Sequence, residues 1–318
     1  MKIVNLDGYT TNPGDLSWTW LEKYGEYKIY DRTSPEDVLD RAKDADILIV
    51  NKTPISRELL EKLPKLKYVG LQSTGYNIID CQAAKEKGIV VSNIPEYSTN
   101  AVAQLTFALI LEITNQVALH NQSVHSGEWC ACQDFCYWKT PLTELAGKTL
   151  GIIGFGKIGR QVCKIAQSFG MKVLAFSPSL PADRSSNPKI IPLDEIFRES
   201  DFITLHCPLT KDTENLINEE NLKKMKKNAI IINTSRGPVV NEKDLARALQ
   251  DGIIAGAAVD VVNTEPCVKE NPLLKCDNCI ITPHIAWAGF ETRKRLLEIL
   301  EKNLAAFLDN QPINVVNK

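Results

Sequence analysis

Three glycines near the middle of the chain have the spacing of a phosphate-binding turn. Gly154, Gly156 and Gly159 form the pattern G-x-G-x-x-G, between an apolar run at 150–153 and a helical pattern at 158–168. In such a unit the first glycine permits a sharp turn, the second lets a pyrophosphate approach the backbone, and the third lets the helix pack on the strand. The helix start adds free N–H groups and a dipole that favours negative charge. The pattern predicts that this segment binds a dinucleotide.

The tip of the next predicted strand, residues 172–176, lacks the acid that usually selects NAD. An Asp or Glu at this tip binds the ribose hydroxyls, and its charge also repels a 2′-phosphate. This chain has Ser177 there, and the first acid beyond it is Asp183. Arg184 and Lys189 follow and are near enough in sequence to reach a phosphate. The sequence therefore leaves NAD and NADP both open.

Three further residues have side chains suited to catalysis, and each follows a predicted strand. They are Arg236, Glu265 and His284. Open α/β sheets bind their ligands at the carboxyl ends of the strands, so residues in these places share one edge of the sheet. Taken singly, each has a structural alternative: a surface cation, a turn residue before a proline, or a packed core imidazole. Their common position beside a nucleotide motif favours one catalytic site.

The elements that must position these residues alternate between strand and helix. In the first hundred residues the predicted strands are 2–6, 27–30, 45–50, 66–71 and 89–93. The helical patterns between them are 16–24, 35–43, 56–63 and 78–87. This alternation is typical of a parallel sheet with helices on its faces.

A long helix and a second alternating region follow. The helix is predicted over 98–119 and is apolar on most sides, which indicates burial or a subunit interface. Residues 120–147 are predicted to form a loop rich in Cys, Trp and polar residues. Beyond the glycine motif the predicted strands are 202–206, 229–233, 253–261 and 279–282, and the helices are 218–225, 241–250 and 290–308. The chain therefore carries two α/β sheets, the second with the dinucleotide site.

Composition sets limits on the class of protein. A chain of 318 residues has room for about two domains, and 44% hydrophobic with 24% charged residues is ordinary for a globular protein. The net charge of −2 and the dispersed lysines argue against nucleic acid as a partner. We find no signal segment and no apolar run long enough to span a membrane, so we expect a cytoplasmic location.

Nine cysteines are more than average. Cys130, Cys132 and Cys136 form one cluster, and Cys276 and Cys279 form a C-x-x-C pair. A zinc site built from both clusters is an alternative, but no matching redox context surrounds the pair. We expect free thiols and no metal.

Three signatures now point to a family. The segments 234–237 (TSRG) and 282–288 (TPHIAWA), together with Asp260 and Glu265-Pro266, resemble those of the D-isomer-specific 2-hydroxyacid dehydrogenases. The resemblance covers nearly the whole chain, including the loop 73–80 and the helix at 101–111. The opening segment 6–18 and the phrase HIAWA are similar to the glycerate dehydrogenase, or hydroxypyruvate reductase, branch. This implies a reversible NAD(P)-dependent hydride transfer to a short 2-oxo acid, with hydroxypyruvate or glyoxylate favoured.

The resemblance implies a role for each catalytic candidate. Arg236 would hold the substrate carboxylate and 2-oxo group through its planar fork of donors. His284 would donate a proton to the carbonyl oxygen as hydride arrives, and accept one in reverse. Glu265 would bind the other ring nitrogen, orienting the imidazole and favouring its protonated form.

Binding residues are implied in the same way. Backbone N–H groups of Thr74, Gly75 and Tyr76 would bind the substrate carboxylate. Asp260 would contact the nicotinamide carboxamide, and His206, Cys207 and Pro208 would line the adenosine side. Trp138 would enter the pocket of a partner subunit or anchor an interface, and Trp287 would narrow the pocket or simply pack. The full implied set of dinucleotide contacts is Gly154, Gly156, Lys157, Ile158, Gly159, Ser177, His206, Cys207, Pro208, Thr213, Thr234 and Asp260.

The implied architecture is two doubly wound parallel-sheet domains. A flavodoxin-like substrate-binding domain would comprise residues 1–98 and 286–318, and a Rossmann dinucleotide-binding domain residues 99–285, with a homodimer formed through the apolar helix. The chain departs from the family at Ser177 and at 103–105, where Ala-Gln-Leu replaces the common Ala-Glu-His. The alternatives are a dehydrogenase of another 2-hydroxy acid, such as D-lactate or phosphoglycerate, and a dinucleotide-sensing binding protein without turnover.

Overall fold

The computed structural model describes all residues from Met1 to Lys318. The chain forms two compact units: Met1–Ser98 with Ala288–Lys318, and Thr99–Trp287. Each unit is built on one sheet in which every strand pairs in parallel with its neighbours. The prediction of two parallel α/β sheets is confirmed.

The first unit begins with five strands and three short helices. In chain order they are β1 (Lys2–Asn5), β2 (Glu26–Ile29), α1 (Val38–Ala42), β3 (Ile47–Val50), α2 (Arg57–Glu61), β4 (Tyr68–Leu71), α3 (Cys81–Glu86) and β5 (Val90–Ser92). The strand order β2-β1-β3-β4-β5 is that of flavodoxin-like sheets. Strands β3 and β4 are buried along their whole length, as parallel strands covered by helices on both faces must be. The helical part of the predicted helix 16–24 is a 3₁₀ helix, Thr19–Lys23, and the predicted helix 35–43 begins as one, Pro35–Asp37, before α1.

The second unit carries the glycine motif in a seven-stranded sheet. Its elements are α4 (Thr99–Asn115), α5 (Val117–His125), β6 (Thr149–Ile153), α6 (Lys157–Ser168), β7 (Lys172–Phe176), β8 (Lys189–Ile190), α7 (Leu193–Glu199), β9 (Phe202–Leu205), α8 (Glu219–Leu222), β10 (Ile230–Asn233), α9 (Glu242–Gln250), β11 (Gly256–Val259) and β12 (Cys279–Ile281). The chain then returns to the first unit with α10 (Phe290–Leu308).

The strand order of the second sheet places a ligand crevice. The order is β12-β11-β10-β9-β6-β7-β8, so the chain direction through the sheet reverses between β6 and β9. Loops that leave the two strands at such a switch point diverge, and the gap between them is where open α/β sheets bind ligands. The glycine motif follows β6 and His206 follows β9, so both lie at this point.

The long apolar helix was predicted wrongly as one element. It breaks at Gln116, whose φ of 44° is left-handed, and α5 then continues to His125 inside the region predicted as a loop. The side chains of Thr114 and Asn115 bond carbonyls of the preceding turn, and such bonds compete with the helix ladder. Neither Gly nor Pro marks the break, so the apolar pattern gave no sign of it. Strand β8 was not predicted, because two residues are too short for a periodic signal, and helix α7 was also not predicted.

Helix α4 is buried on one side only. Ala103, Phe107 and Ile110 are among its buried residues, and they join the core that contains residues of β6 and α6. No single helix is long and apolar enough to cross a membrane; only α4 and α5 taken together, bent by 54°, reach that length and composition.

Candidate active site

Strand register brings the three catalytic candidates to one sheet edge. Asn233 of β10 pairs with Val259 of β11, which pairs with Ile281 of β12, so the three strands end level with one another. Arg236, Glu265 and His284 all lie in the loops that leave these ends. The structure therefore brings together residues that are up to 48 positions apart in sequence.

His284 and Glu265 form a direct pair. The Nδ1 atom of His284 lies 2.7 Å from Oε2 of Glu265, and both side chains remain about 30% exposed. The second oxygen of Glu265 accepts a 3.4 Å bond from the backbone N–H of Val262. Since a carboxylate can only accept, Nδ1 must carry the proton in this pair. Nε2 is then the ring nitrogen available for proton exchange.

Arg236 is presented by a turn that a buried side chain holds. Asn233 is fully buried; its Oδ1 accepts bonds from the N–H and hydroxyl of Ser235, at 3.0 and 2.9 Å, and its Nδ2 donates to the carbonyl of Arg236 at 2.9 Å. Arg236 itself is exposed and donates one bond to the Ser235 carbonyl at 2.7 Å. The guanidinium therefore keeps further donors for a ligand. Asn233 was not among the predicted site residues, although Asn at a strand end is a known turn former.

Gly237 brings the Arg236 turn against the loop that carries Glu265. A Cβ at Gly237 would lie 2.1 Å from the carbonyl carbon and oxygen of Val262 and 2.6 Å from the nitrogen of Asn263. Only a residue without a side chain allows this approach. The contact joins the loops after β10 and β11 into one surface.

The glycine motif has the geometry that a dinucleotide needs. Gly154 has φ +96°, and a Cβ there would lie 2.5 Å from the nitrogen of Cys207. Gly159 packs with equal closeness on the Gly154 carbonyl, where a Cβ would lie 2.3 Å away. Gly156, the N-cap of α6, is exposed, and a Cβ there would meet nothing within 4 Å. Two glycines therefore serve close packing, and the third leaves open backbone at a helix start, where a pyrophosphate fits.

The other predicted dinucleotide residues surround the switch point. Lys157 and Ile158 open α6, and the Thr213 hydroxyl donates to the Pro208 carbonyl at 2.6 Å, which closes the loop after β9. Thr234 is buried, with its hydroxyl 3.2 Å from that of Thr106.

His206 has a buried ring in which neither nitrogen has a hydrogen-bond partner. Burial lowers the pKa of His206 to about 3, so the ring stays neutral at ordinary pH.

The residues that directly follow β7 are uncharged. Ser177 and Ser179 place their hydroxyls 3.0 Å apart. The Asp183 carboxylate accepts bonds from Ser185 and Ser186, and Arg184 is paired with Glu195. The acid and the cation nearest in sequence to Ser177 are thus committed to neighbours.

The predicted carboxylate-binding loop follows β4 in the first unit. Its carbonyl oxygens are held by side chains: the Ser73 hydroxyl donates to the Gly75 carbonyl at 2.6 Å, and Asn93 donates to the Thr74 carbonyl at 2.7 Å. The N–H groups of Thr74, Gly75 and Tyr76 take no part in these bonds. Tyr76 and Trp138 are exposed, and Trp287 is half-buried.

All nine cysteines are free thiols. No three His, Cys, Asp or Glu side chains are grouped so as to hold a metal ion, and nothing supports the zinc alternative. Burial raises the pKa of both Cys276 and Cys279, the latter to about 12. Buried thiols of this kind stay protonated, whereas a reactive or metal-binding cysteine needs its thiolate.

The fold and the site define a dinucleotide-dependent α/β oxidoreductase, and comparison with known proteins refines the class. Residues 107–286 match the D-isomer specific 2-hydroxyacid dehydrogenase, NAD binding domain family. The chain is 53% identical to a hydroxypyruvate reductase of Blautia hydrogenotrophica, with both chains covered in full. It is 43% identical to a glycerate dehydrogenase of Methylorubrum extorquens, covering 99% of this chain and 98% of that protein. The protein belongs to the D-isomer specific 2-hydroxyacid dehydrogenase family.

Solved structures agree with this assignment. An acyclic imino acid reductase in complex with NADPH and D-Arg superposes with a TM-score of 0.86 at 32% identity, over 99% of this chain and all of that one. A D-lactate dehydrogenase from Aquifex aeolicus complexed with NAD and lactic acid gives 0.83 at 33% identity, over 98% and 96% of the two chains. The chain is thus an NAD(P)-dependent oxidoreductase of this family.

Proposed function

We propose that the protein reduces a short 2-oxo acid, with hydroxypyruvate or glyoxylate favoured, and catalyses the reverse oxidation of the 2-hydroxy acid. The observation that carries this proposal is the 2.7 Å pair of His284 and Glu265 on the sheet edge that also presents Arg236, within the unit that holds the glycine motif. The names of the two similar proteins, a hydroxypyruvate reductase and a glycerate dehydrogenase, support the choice of substrate.

Arg236 would bind and polarise the substrate. Its guanidinium is exposed and has donors to spare beyond the one given to Ser235, so it can hold a carboxylate oxygen and the 2-oxo group together. The N–H groups of Thr74, Gly75 and Tyr76 would hold the other carboxylate oxygen. Trp287 would narrow the space for a small group such as hydroxymethyl.

His284 would move the proton. A nicotinamide dinucleotide held at the glycine motif would supply the hydride for the 2-oxo carbon. His284 donates the Nε2 proton to the carbonyl oxygen, which becomes the hydroxyl, and recovers a proton from solvent before the next turnover. Glu265 keeps Nδ1 protonated and directs Nε2 outward. In the oxidation, neutral His284 accepts the hydroxyl proton at the same nitrogen.

The dinucleotide site would accept both NADH and NADPH with weak discrimination. Ser177 offers a hydroxyl to either ribose and no charge to repel a phosphate. Arg184 is paired with Glu195, which limits how strongly it can favour NADPH.

A homodimer would cover an apolar surface on and after α5. Val117, Trp129, Phe135, Trp138 and Leu142 are all exposed there, Phe135 by 88% and Trp138 by 66%. Exposed apolar area of this extent is typical of a protein interface. Trp138 would serve as an anchor of that interface or reach the partner's substrate pocket.

A panel of 2-oxo acids assayed with NADH and with NADPH tests the proposal. We expect turnover of hydroxypyruvate or glyoxylate, lost by at least a thousandfold in His284→Ala and in Arg236→Ala, as is usual when a proton donor or a carboxylate clamp is removed. Activity surviving in both variants would refute the mechanism. A different best substrate would change only the substrate assignment, and tight dinucleotide binding without any turnover would favour a sensing role.

A further inference from the structure

Asp260 is tied to the His284 loop by an unusually complete set of hydrogen bonds. Its Oδ1 accepts from the Thr282 hydroxyl at 2.6 Å and from the Ile285 N–H at 2.9 Å, and its Oδ2 accepts from the Ala286 N–H at 2.8 Å. Its backbone carbonyl accepts from the His284 N–H at 2.8 Å. The residue at the end of β11 thus binds the chain on both sides of His284.

His284 needs such support because its backbone is strained. Its φ is +55°, a left-handed region that residues with a side chain keep only where the surroundings hold them. The His284 N–H also contacts the Thr282 carbonyl at 3.0 Å, which makes a tight turn around Pro283. The bonds to Asp260 therefore fix the direction in which the imidazole leaves the backbone.

The Asp260 carboxylate that forms these bonds is also the group expected to contact the nicotinamide carboxamide. Asp260 is 1% exposed, and both of its carboxylate oxygens already accept hydrogen bonds from the protein. Oδ2 accepts only one of these bonds and keeps an acceptor position, so a contact with the carboxamide is compatible with the bonds to the His284 loop. The observations favour an effect of Asp260 on the reaction through His284.

We propose that Asp260, with Thr282 as its partner, is a positioning residue that holds His284 in register with Glu265 and the substrate. The inference rests on the proposed role of His284 as proton donor. Proton transfer depends steeply on donor geometry, and a displacement of about 1 Å can lower the rate about a hundredfold. Loosening the 282–286 loop should therefore slow proton transfer and leave dinucleotide binding intact.

Thr282→Val is the sharpest test, because valine keeps the shape of threonine and removes only the bond to Asp260. Thr114→Val is the matched control; it removes a buried threonine hydroxyl whose partners, the carbonyls of Ile110 and Leu111 and the side-chain amide of Asn115, all lie in its own helix. We expect kcat to fall about tenfold in Thr282→Val and to change less than twofold in the control. KM and the Kd for NADH, read from quenching of protein fluorescence, should stay within twofold.

Two further measurements separate positioning from general loss of structure. The solvent deuterium isotope effect on kcat should rise in Thr282→Val, because proton transfer becomes slower than the other steps. Asp260→Asn should lower kcat further, and the double variant should lose less than the product of the single losses, since both act on one loop.

The proposal is overturned if Thr282→Val matches Thr114→Val in kcat, or if its isotope effect stays at the wild-type value while kcat falls. It is also overturned if Asp260→Asn raises the Kd for NADH tenfold while kcat at saturation holds, because that result assigns Asp260 to the nicotinamide. His284→Ala is assayed alongside: if it retains activity, the proposed mechanism fails, whatever the threonine variants do.

Discussion

Gly237→Ala should nearly abolish activity without touching any group that meets substrate. The added Cβ would lie 2.1 Å from the carbonyl carbon and oxygen of Val262, about 1.3 Å inside the closest ordinary contact. Both partners are backbone, so neither can rotate aside, and the Arg236 turn or the loop leading to Glu265 must shift by on the order of 1 Å. A shift of that size is expected to lower kcat/KM about a hundredfold and to destabilise the fold by about 1–3 kcal/mol.

The assay is kcat/KM for hydroxypyruvate together with the urea unfolding midpoint. Gly289→Ala is the control: its φ of −55° suits alanine, and its Cβ would meet only the Thr292 hydroxyl oxygen, at 3.5 Å. It should stay within twofold of wild type. The reasoning is refuted if Gly237→Ala folds with the wild-type midpoint and keeps more than half of the activity, since the two loops would then not need this close approach. Measuring the Kd for NADH identifies a variant that has simply unfolded.

Two further predictions concern the dinucleotide site and acid stability. Ser177→Asp should raise KM for NADPH at least tenfold and leave KM for NADH within about threefold, because the new carboxylate faces the 2′-phosphate; equal effects on both cofactors would show that residue 177 does not face that position. Burial holds the folded-state pKa of His206 at about 3, whereas the unfolded chain binds its proton near pH 6.5. The free energy of unfolding is therefore not reduced by His206 above pH 6.5. As pH falls from 6.5 toward 3, the unfolded chain binds a proton that the folded chain does not, and the free energy of unfolding falls by up to about 1.4 kcal/mol per pH unit. Between pH 7 and pH 4.5 the urea unfolding midpoint should decrease less in His206→Gln than in wild type. A larger decrease in the variant would contradict this assignment.

Local pattern made much of the fold predictable. An apolar run, three glycines and an amphipathic helix form a unit whose chemistry depends on neighbours in sequence, so the dinucleotide motif could be located from the chain alone. The strand ends that carry Arg236, Glu265 and His284 could be inferred because buried parallel strands are short, apolar and followed by turns. Strand β8 was missed because two residues are too short to show a period, and α7 was the one α-helix of the second unit after the glycine motif that was not predicted. The break at Gln116 was missed because side-chain bonds to the backbone, and not Gly or Pro, accompany it.

By itself the sequence determined the class of chemistry: a dinucleotide site, three candidate side chains and their order along the chain. Tertiary structure decided how those side chains work together. Strands β10, β11 and β12 end level with one another, which places the three side chains on one edge of the sheet. The absence of a side chain at Gly237 lets the loops after β10 and β11 meet. Hydrogen bonds from Asp260 fix the strained turn at His284. Each of these depends on contacts between segments far apart in sequence, and residue type and spacing along one segment do not specify which distant backbone will lie within 3 Å. The residue types determined which groups could react, and the packing of the chain determined where those groups lie.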